Sequence, residues 1–258
     1  MIYLRTYFYA PHEMNFIVLN LLESYPYIDK FIVCEFNRTH TGQPKEYIFE
    51  KYSMKIPKDK IDKISYFKCD ISSTAVFADH DEKAIHEINE PLMRGYFVKC
   101  VPMEDNDIIF SVDADEILYS DLYPEIIENV RRNGTTLLQL HQFMYKPTYF
   151  WTDCKFVAPT VALYKEYKDK FPSNWRYDGK LFSRIAGCHF SWCMDIDSMI
   201  SKLYSYGHPQ YRFCADKKLL QDAVDNKKYP FDKNTAFNIE EKDLSDQVYP
   251  KNIGYICQ

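Results

Sequence analysis

The chain opens with an apolar run, Ile2 to Tyr9, closed by Pro11. Residues 13–24 follow, with apolar side chains around most of a helical wheel, which predicts a buried helix ending before Pro26. Lys-Phe-Ile-Val-Cys-Glu-Phe (30–36) reads as a second buried strand with Glu35 near its C-terminal end. A β-α-β opening of this kind implies a parallel sheet with a right-handed crossover. A polar loop covers 37–46, and a further strand is predicted at 64–69. Residues 79–101 are helical in pattern, with Asn89 as a candidate cap and Pro91 tolerated in a first turn.

The run Ile-Ile-Phe-Ser-Val (108–112) ends abruptly in Asp113, Asp115 and Glu116. This is the pattern of a buried strand that delivers acidic side chains to its carboxyl tip, where ligands of open α/β sheets bind. A helix is predicted over 124–132, stopped by Asn133-Gly134, then an extended strand over 135–145. Residues 147–180 read as an aromatic, loop-rich stretch, 187–193 as a short strand or turn, and 197–206 and 216–225 as helices. The last thirty residues have no strong period. The simplest architecture is one α/β domain with a less regular C-terminal third.

Three groups of residues could carry chemistry. Two carboxylates one residue apart at a strand tip, Asp113 and Asp115, can hold a hard divalent cation and present it to a phosphate. His189, flanked by Gly187 and aromatics, is placed like a metal ligand or a phosphate hydrogen-bond donor. Lys202, Ser205 and His208, at the end of a predicted helix, could meet an anionic group. Arg94, Lys45 and Arg184 are single basic residues that read as surface charge when taken alone.

Composition narrows the classes. The 258 residues carry a net charge of −5 with no basic run, which argues against nucleic acid as a partner. No apolar stretch approaches ~18 residues, and the N-terminus lacks a charged segment followed by an apolar one, so neither a membrane span nor a signal peptide is expected. The eight cysteines include no CxxC pair, so buried free thiols are expected rather than a structural zinc site.

The ordered set of motifs resembles the glycosyltransferase family of β-1,4-mannosyl-glycoprotein N-acetylglucosaminyltransferases, the bisecting enzymes and their bacterial and viral relatives. The strand 27–35 ending at Glu35, the loop Thr39-His40-Thr41-Gly42-Gln43-Pro44-Lys45, the helical Glu90-to-Arg94 spacing, Ser111-Val112-Asp113-Ala114-Asp115-Glu116-Ile117, Gly187-Cys188-His189-Phe190-Ser191-Trp192 and Lys202-Leu203-Tyr204-Ser205-Tyr206-Gly207-His208 occur in the family's order. Three positions depart from its pattern: Leu118 replaces a proline, Cys188 a tryptophan, and Pro209-Gln210 an acidic residue.

The resemblance implies a single GT-A type domain over 1–258, α/β, with a Rossmann-like mixed central sheet flanked by helices. Residues 1–118 form its nucleotide-sugar-binding half and 119–258 its acceptor-binding half. It implies Mn²⁺ or Mg²⁺ on Asp113, Asp115 and His189, and a nucleotide-sugar donor, UDP-linked, carrying N-acetylglucosamine. Glu35, Lys45, Arg94, Arg184, Lys202 and His208 would contact the nucleotide or its diphosphate. The partners would be that donor and a glycan acceptor, in a cytoplasmic enzyme of bacterial or viral type. Inversion requires one carboxylate to take the acceptor proton; Glu116, Asp195 and Asp178 are all candidates. Two other classes stay open: a metal-dependent nucleotidyltransferase or phosphohydrolase, and a catalytically degenerate sugar-binding module.

Overall fold

In a computed structural model that describes residues 1–256, nine strands among the described residues form one mixed sheet in the order β3-β2-β1-β4-β7-β6-β8-β5, with β9 paired to β7. The strands are β1 (Ile2–Phe8), β2 (Lys30–Phe36), β3 (Ile64–Cys69), β4 (Ile108–Ser111), β5 (Glu116–Leu118), β6 (Thr136–Met144), β7 (Tyr149–Leu163), β8 (Lys180–Ser191) and β9 (Ile239–Glu241). β1 pairs in parallel with β2 and β4, and β2 with β3, so the Rossmann-like half is present. At β4 the sheet changes character: β7 runs antiparallel to it, and β6 antiparallel to β7. The fold class read from the sequence, an α/β mixed sheet flanked by helices in one domain, is the observed one.

The helix α1 (Met14–Ser24) is apolar all round because it is enclosed: nine of its side chains are buried, from Met14 to Ser24. Its one buried amide is used. Asn20 Nδ2 donates to the carbonyls of Ala114 (3.2 Å) and Glu116 (3.1 Å), so α1 holds the backbone of the acidic turn after β4. Two short helices follow, α2 (Phe49–Tyr52) and α3 (Glu82–Ala84).

The helix predicted over 79–101 is broken. Past α3 the chain widens to a π-turn over Ile85–Asn89, regains α geometry in α4 (Glu90–Gly95) and tightens to 3₁₀ over Tyr96–Lys99. Pro91 explains the break, since it has no N–H to give and its ring excludes the carbonyl one turn back. Asn89 is not a cap. Its side chain bonds Val76 N (2.9 Å), Val76 O (2.8 Å) and His40 O (2.8 Å), pinning two loops.

The largest departure from the sequence reading lies in 147–180, which holds the fifteen-residue β7 rather than a loop. Pro159 disguised it. The β6–β7 register slips between Leu137 and Gln139, opposite the segment carrying Pro159, and such a bulge lets a proline sit in a strand. β8 also begins earlier than expected, at Lys180. The helices α5 (Tyr123–Asn133), α6 (Ile196–Ser205) and α7 (Lys217–Asp225) agree with the pattern. Cys257 lies outside the described residues.

Gly187 on β8 sits against β5, and a Cβ there would lie 2.0 Å from Ile117 O. Gly187→Ala therefore forces apart the strand pair that carries Glu116 and His189. A loss of about 1–3 kcal/mol is expected. A urea midpoint equal to that of the unsubstituted chain would show that β5 yields freely.

Candidate active site

The parallel strands aim their carboxyl ends at a cavity of about 470 Å³, within the size range of small-molecule sites. Tyr7 and Tyr9 enter it from the end of β1, His40 from beyond β2, Asp113 to Asp115 from beyond β4, and His189 from β8. Aromatic side chains such as Trp151, Phe156, Tyr177 and Trp192 supply much of the remaining wall.

The acidic turn divides its labour sharply. Asp113 is clasped by two arginines: Arg94 bonds Oδ1, and Arg176 Nη1 lies 3.0 Å from Oδ2. Burial alone would raise its pKa, but Arg176, Arg94 and Arg5 hold the carboxyl well below the usual range. Glu116 is fully buried behind it. Arg176 bonds both of its oxygens, and Oε2 also accepts the N–H of Asp113 (2.8 Å). Asp115 is held loosely by comparison, with His189 Nε2 at 3.7 Å and Lys202 Nζ at 3.9 Å. Burial works against its ionised form, yet His189 and Lys202 keep its pKa lowered.

His189 is oriented from behind. Gln142 Nε2 donates to Phe143 O (3.1 Å), which turns Gln142 Oε1 toward the imidazole, 2.9 Å from Nδ1. Nδ1 must then carry the proton and donate it. In the neutral ring this leaves the Nε2 lone pair facing Asp115, the tautomer a metal ligand needs.

Arg176 was not singled out in the sequence. It is 3% exposed at its side chain and sits between Trp175 (φ 49°) and Tyr177 (φ 61°), both in the left-handed region. Strained backbone of this kind persists where surrounding contacts over-determine it. Glu90 was read only as part of a spacing. It bonds Arg94 Nη2 (2.8 Å) and His86 Nδ1 (2.7 Å), completing a chain of alternating charge from His86 to Glu116. Glu13 was missed because it lies in an apolar helical run. It lines the cavity and, among the described residues, has no cation within 4 Å. Its Oε2 accepts the N–H groups of Tyr9 (2.6 Å) and Ala10 (3.3 Å). Burial pushes its carboxyl up to about 8, with Asp115 adding and Lys202 opposing.

Seven expected residues do line the cavity: Asp113, Asp115, Arg94, His189, Lys202, Ser205 and His208. Six do not, and each has a physical reason. Glu35 is spent inside the fold on Lys45 (2.8 Å), Tyr66 Oη (2.6 Å) and the N–H groups of Ile48 and Phe49, which removes both Glu35 and Lys45 from the nucleotide. Arg184 is exposed and paired with Glu125 (2.7 Å). Asp195 caps α6 by accepting from Ser198 N (2.9 Å). Glu116, engaged as above, cannot serve as a base. Asp178, also a candidate, accepts from Tyr167 Oη (2.7 Å).

The set of three metal ligands needs a similar correction. Asp113 does not converge with Asp115 and His189 to within 4.8 Å, because its arginines hold it aside. Asp115 and His189 remain as a donor pair that fits a divalent cation. His208, expected at the diphosphate, lies 3.4 Å from Glu82 Oε1 and converges with Glu82 and His86 instead.

Residues 8–228 match the description Glycosyltransferase family 17. The chain belongs to that family. It is thus a glycosyltransferase, and the degenerate-module and nucleotidyltransferase readings fall away. The narrower resemblance to the β-1,4-mannosyl-glycoprotein N-acetylglucosaminyltransferases is corrected by the same finding: the match is to family 17 as described, and nothing ties the chain directly to that enzyme group. No curated protein matches the chain. Among solved structures, the S. aureus TarS 1-349 crystal structure is 9% identical, with 87% of this chain and 73% of that one covered and a TM-score of 0.39. The galactosyltransferase LgtC, in complex with donor and acceptor sugar analogs, is 9% identical over 87% of this chain and 70% of that one, TM-score 0.34. Similarity at this level carries no residue assignment, and the fold class rests on the sheet described above.

Arg176→Met removes the only cation bonded to Glu116 among the described residues and leaves a buried carboxylate unpaired. A loss of about 3–5 kcal/mol is expected. Adding Glu116→Gln should recover part of it in a urea-denaturation double-mutant cycle. Strictly additive losses would mean that the pair is not coupled.

Proposed function

We propose that this glycosyltransferase moves a sugar from a UDP-linked nucleotide donor to a glycan acceptor with inversion, assisted by Mn²⁺ or Mg²⁺ on Asp115 and His189. The observation that carries the reading is the Asp115–His189–Gln142 arrangement: a loosely held carboxylate lies 3.7 Å from His189 Nε2, and Gln142 holds the other ring nitrogen from behind. The first half of the chain would bind the nucleotide and the second half the acceptor.

A divalent cation at this pair would act as a Lewis acid, neutralising charge on the departing diphosphate. The protein's own residues do the rest. Lys202, only loosely engaged at 3.9 Å from Asp115, is free to turn its ammonium to the diphosphate. Cationic charge aimed at the developing negative charge is the largest single contribution expected in transfer chemistry. Asp113 contributes indirectly: it locks Arg94 and Arg176 in place, and with them the backbone of the turn that presents Asp115. The aromatic wall excludes water, which would otherwise compete with the acceptor.

Glu13 is the carboxylate placed to take the acceptor proton. Its Oε2 is committed to backbone N–H groups, leaving Oε1 to accept the proton as the acceptor oxygen attacks C1. The new C1–O bond forms as the bond to phosphate breaks. A base whose pKa lies near the operating pH transfers protons most effectively, and burial places Glu13 there.

Two variants and a thermal shift test this. Glu13→Gln keeps the backbone hydrogen bonds but should lower kcat by about 10²–10⁴-fold. It should also abolish a rising limb of kcat/KM, which in the unsubstituted enzyme climbs with pH to a plateau above about 8. An unchanged profile would assign the base elsewhere. Asp115→Asn should cut donor turnover by about a thousand-fold, equivalent to about 4 kcal/mol. In the unsubstituted chain, UDP-sugar and Mn²⁺ together should raise Tm more than either alone. Retained turnover in Asp115→Asn would sink the metal assignment.

A further inference from the structure

Away from the cavity, three cysteines distant in sequence meet. Cys34 lies on β2, Cys69 ends β3, and Cys100 follows the 3₁₀ turn after α4. β2 and β3 pair in parallel with Cys34 opposite Phe67, so Cys69, two residues on, points to the same face as Cys34. The sulfurs of Cys69 and Cys100 are 3.9 Å apart, and all three lie within 4.8 Å of one another. Cys34 and Cys69 are buried and Cys100 is half-buried. The absence of a CxxC pair predicted scattered thiols, but the sheet assembles a trio that sequence spacing conceals.

We propose that these three thiols form a binding site for a thiophilic divalent cation, with Zn²⁺ as the physiological class. Thiolates around Zn²⁺ at about 2.3 Å in tetrahedral geometry stand about 3.8 Å from one another. The trio already has nearly that spacing. A disulfide needs a sulfur separation of about 2.05 Å and can join only two of the three. Small apolar packing accounts for one buried cysteine, but not for three sulfurs turned onto one point. Soft sulfur donors select Zn²⁺ over Mg²⁺ or Ca²⁺, which separates this site chemically from the oxygen–nitrogen pair at Asp115 and His189. Uptake is Zn²⁺ + 3 RSH + H₂O → Zn(SR)₃(OH₂)⁻ + 3 H⁺, with solvent water as the fourth ligand and no change of oxidation state. Half-exposed Cys100 provides the entry path.

The consequence is mechanical. The ion would tie the segment that follows α4 to β2 and β3. α4 carries Arg94, which bonds Asp113, and Glu90, which bonds Arg94; Cys34 is the register partner of Tyr7 in the cavity wall. Zn²⁺ would thus brace one side of the active site without touching substrate.

Cd²⁺ is a suitable probe, because bound thiolate gives an ultraviolet charge-transfer band that carboxylate and imidazole sites do not. One equivalent of Cd²⁺ per reduced chain should generate the band. Cys34→Ser, Cys69→Ser and Cys100→Ser should each abolish or weaken it, while Cys193→Ser keeps it. In the unsubstituted chain, Zn²⁺ should raise Tm and slow alkylation of Cys100 by about tenfold or more, reversibly with a chelator. The proposal is overturned if the reduced chain shows no stoichiometric band. It is overturned equally if the band survives in the three variants, or if two thiols are lost to a Cys69–Cys100 disulfide and metal is still refused after reduction. None of these readouts depends on transfer activity, so failure here leaves the catalytic reading untouched.

Discussion

The site rests on one buried guanidinium. Arg176 bonds both oxygens of Glu116 and one of Asp113, pairing three carboxylate oxygens at once. Uncompensated charge in such a place is expensive, by several kcal/mol per ion. The turn after β4 can therefore be acidic only because a loop from between β7 and β8 reaches back across the sheet to neutralise it. That loop accepts left-handed φ angles at Trp175 and Tyr177 to do so. Arg94, held by Glu90, closes the other side of Asp113.

Once Asp113 and Glu116 are fixed, Asp115 is the member of the acidic triplet left available for ligand. Three acidic residues within four positions thus differ in setting: Asp113 is an anchor, Glu116 a buried brace, and Asp115 faces the cavity. The same logic governs His189. Its ring lies against Phe156, with ring centroids 3.8 Å apart, and is held by Gln142, so its free nitrogen has one orientation. Rigid positioning of this kind by packing and rear hydrogen bonds is what a preorganised site requires.

The change from parallel to antiparallel pairing at β4 gives the site its shape. The parallel half brings the ends of β1, β2 and β4 together, where ligands of such sheets bind. The antiparallel half carries β8 back so that His189 stands opposite Glu116 in register, beside the acidic turn. Gly187 allows that approach because a side chain there would strike Ile117 O.

Much of this was legible in the residues. Buried strands show as continuous apolar runs, so β1 to β4 and the acidic tip of β4 were readable, as were α1 and the C-terminal helices. Asp115, His189 and Lys202, singled out from the sequence, do line the cavity. What the sequence could not show depends on distance in the chain. Whether a carboxylate is free or spent is decided by partners far away: Arg176 for Glu116, and Tyr66 and two backbone N–H groups for Glu35. Pro159 hid β7 because only the opposite strand's bulge makes a proline tolerable there. Glu13 resembled any polar residue at a helix start, and burial from the assembled fold is what shifts its proton affinity. The three cysteines met only when β2, β3 and the turn after α4 were packed. Local pattern determined the elements and the donor types. Tertiary structure decided which charges are neutralised and which face the cavity, because charge pairing and desolvation act through space rather than along the chain.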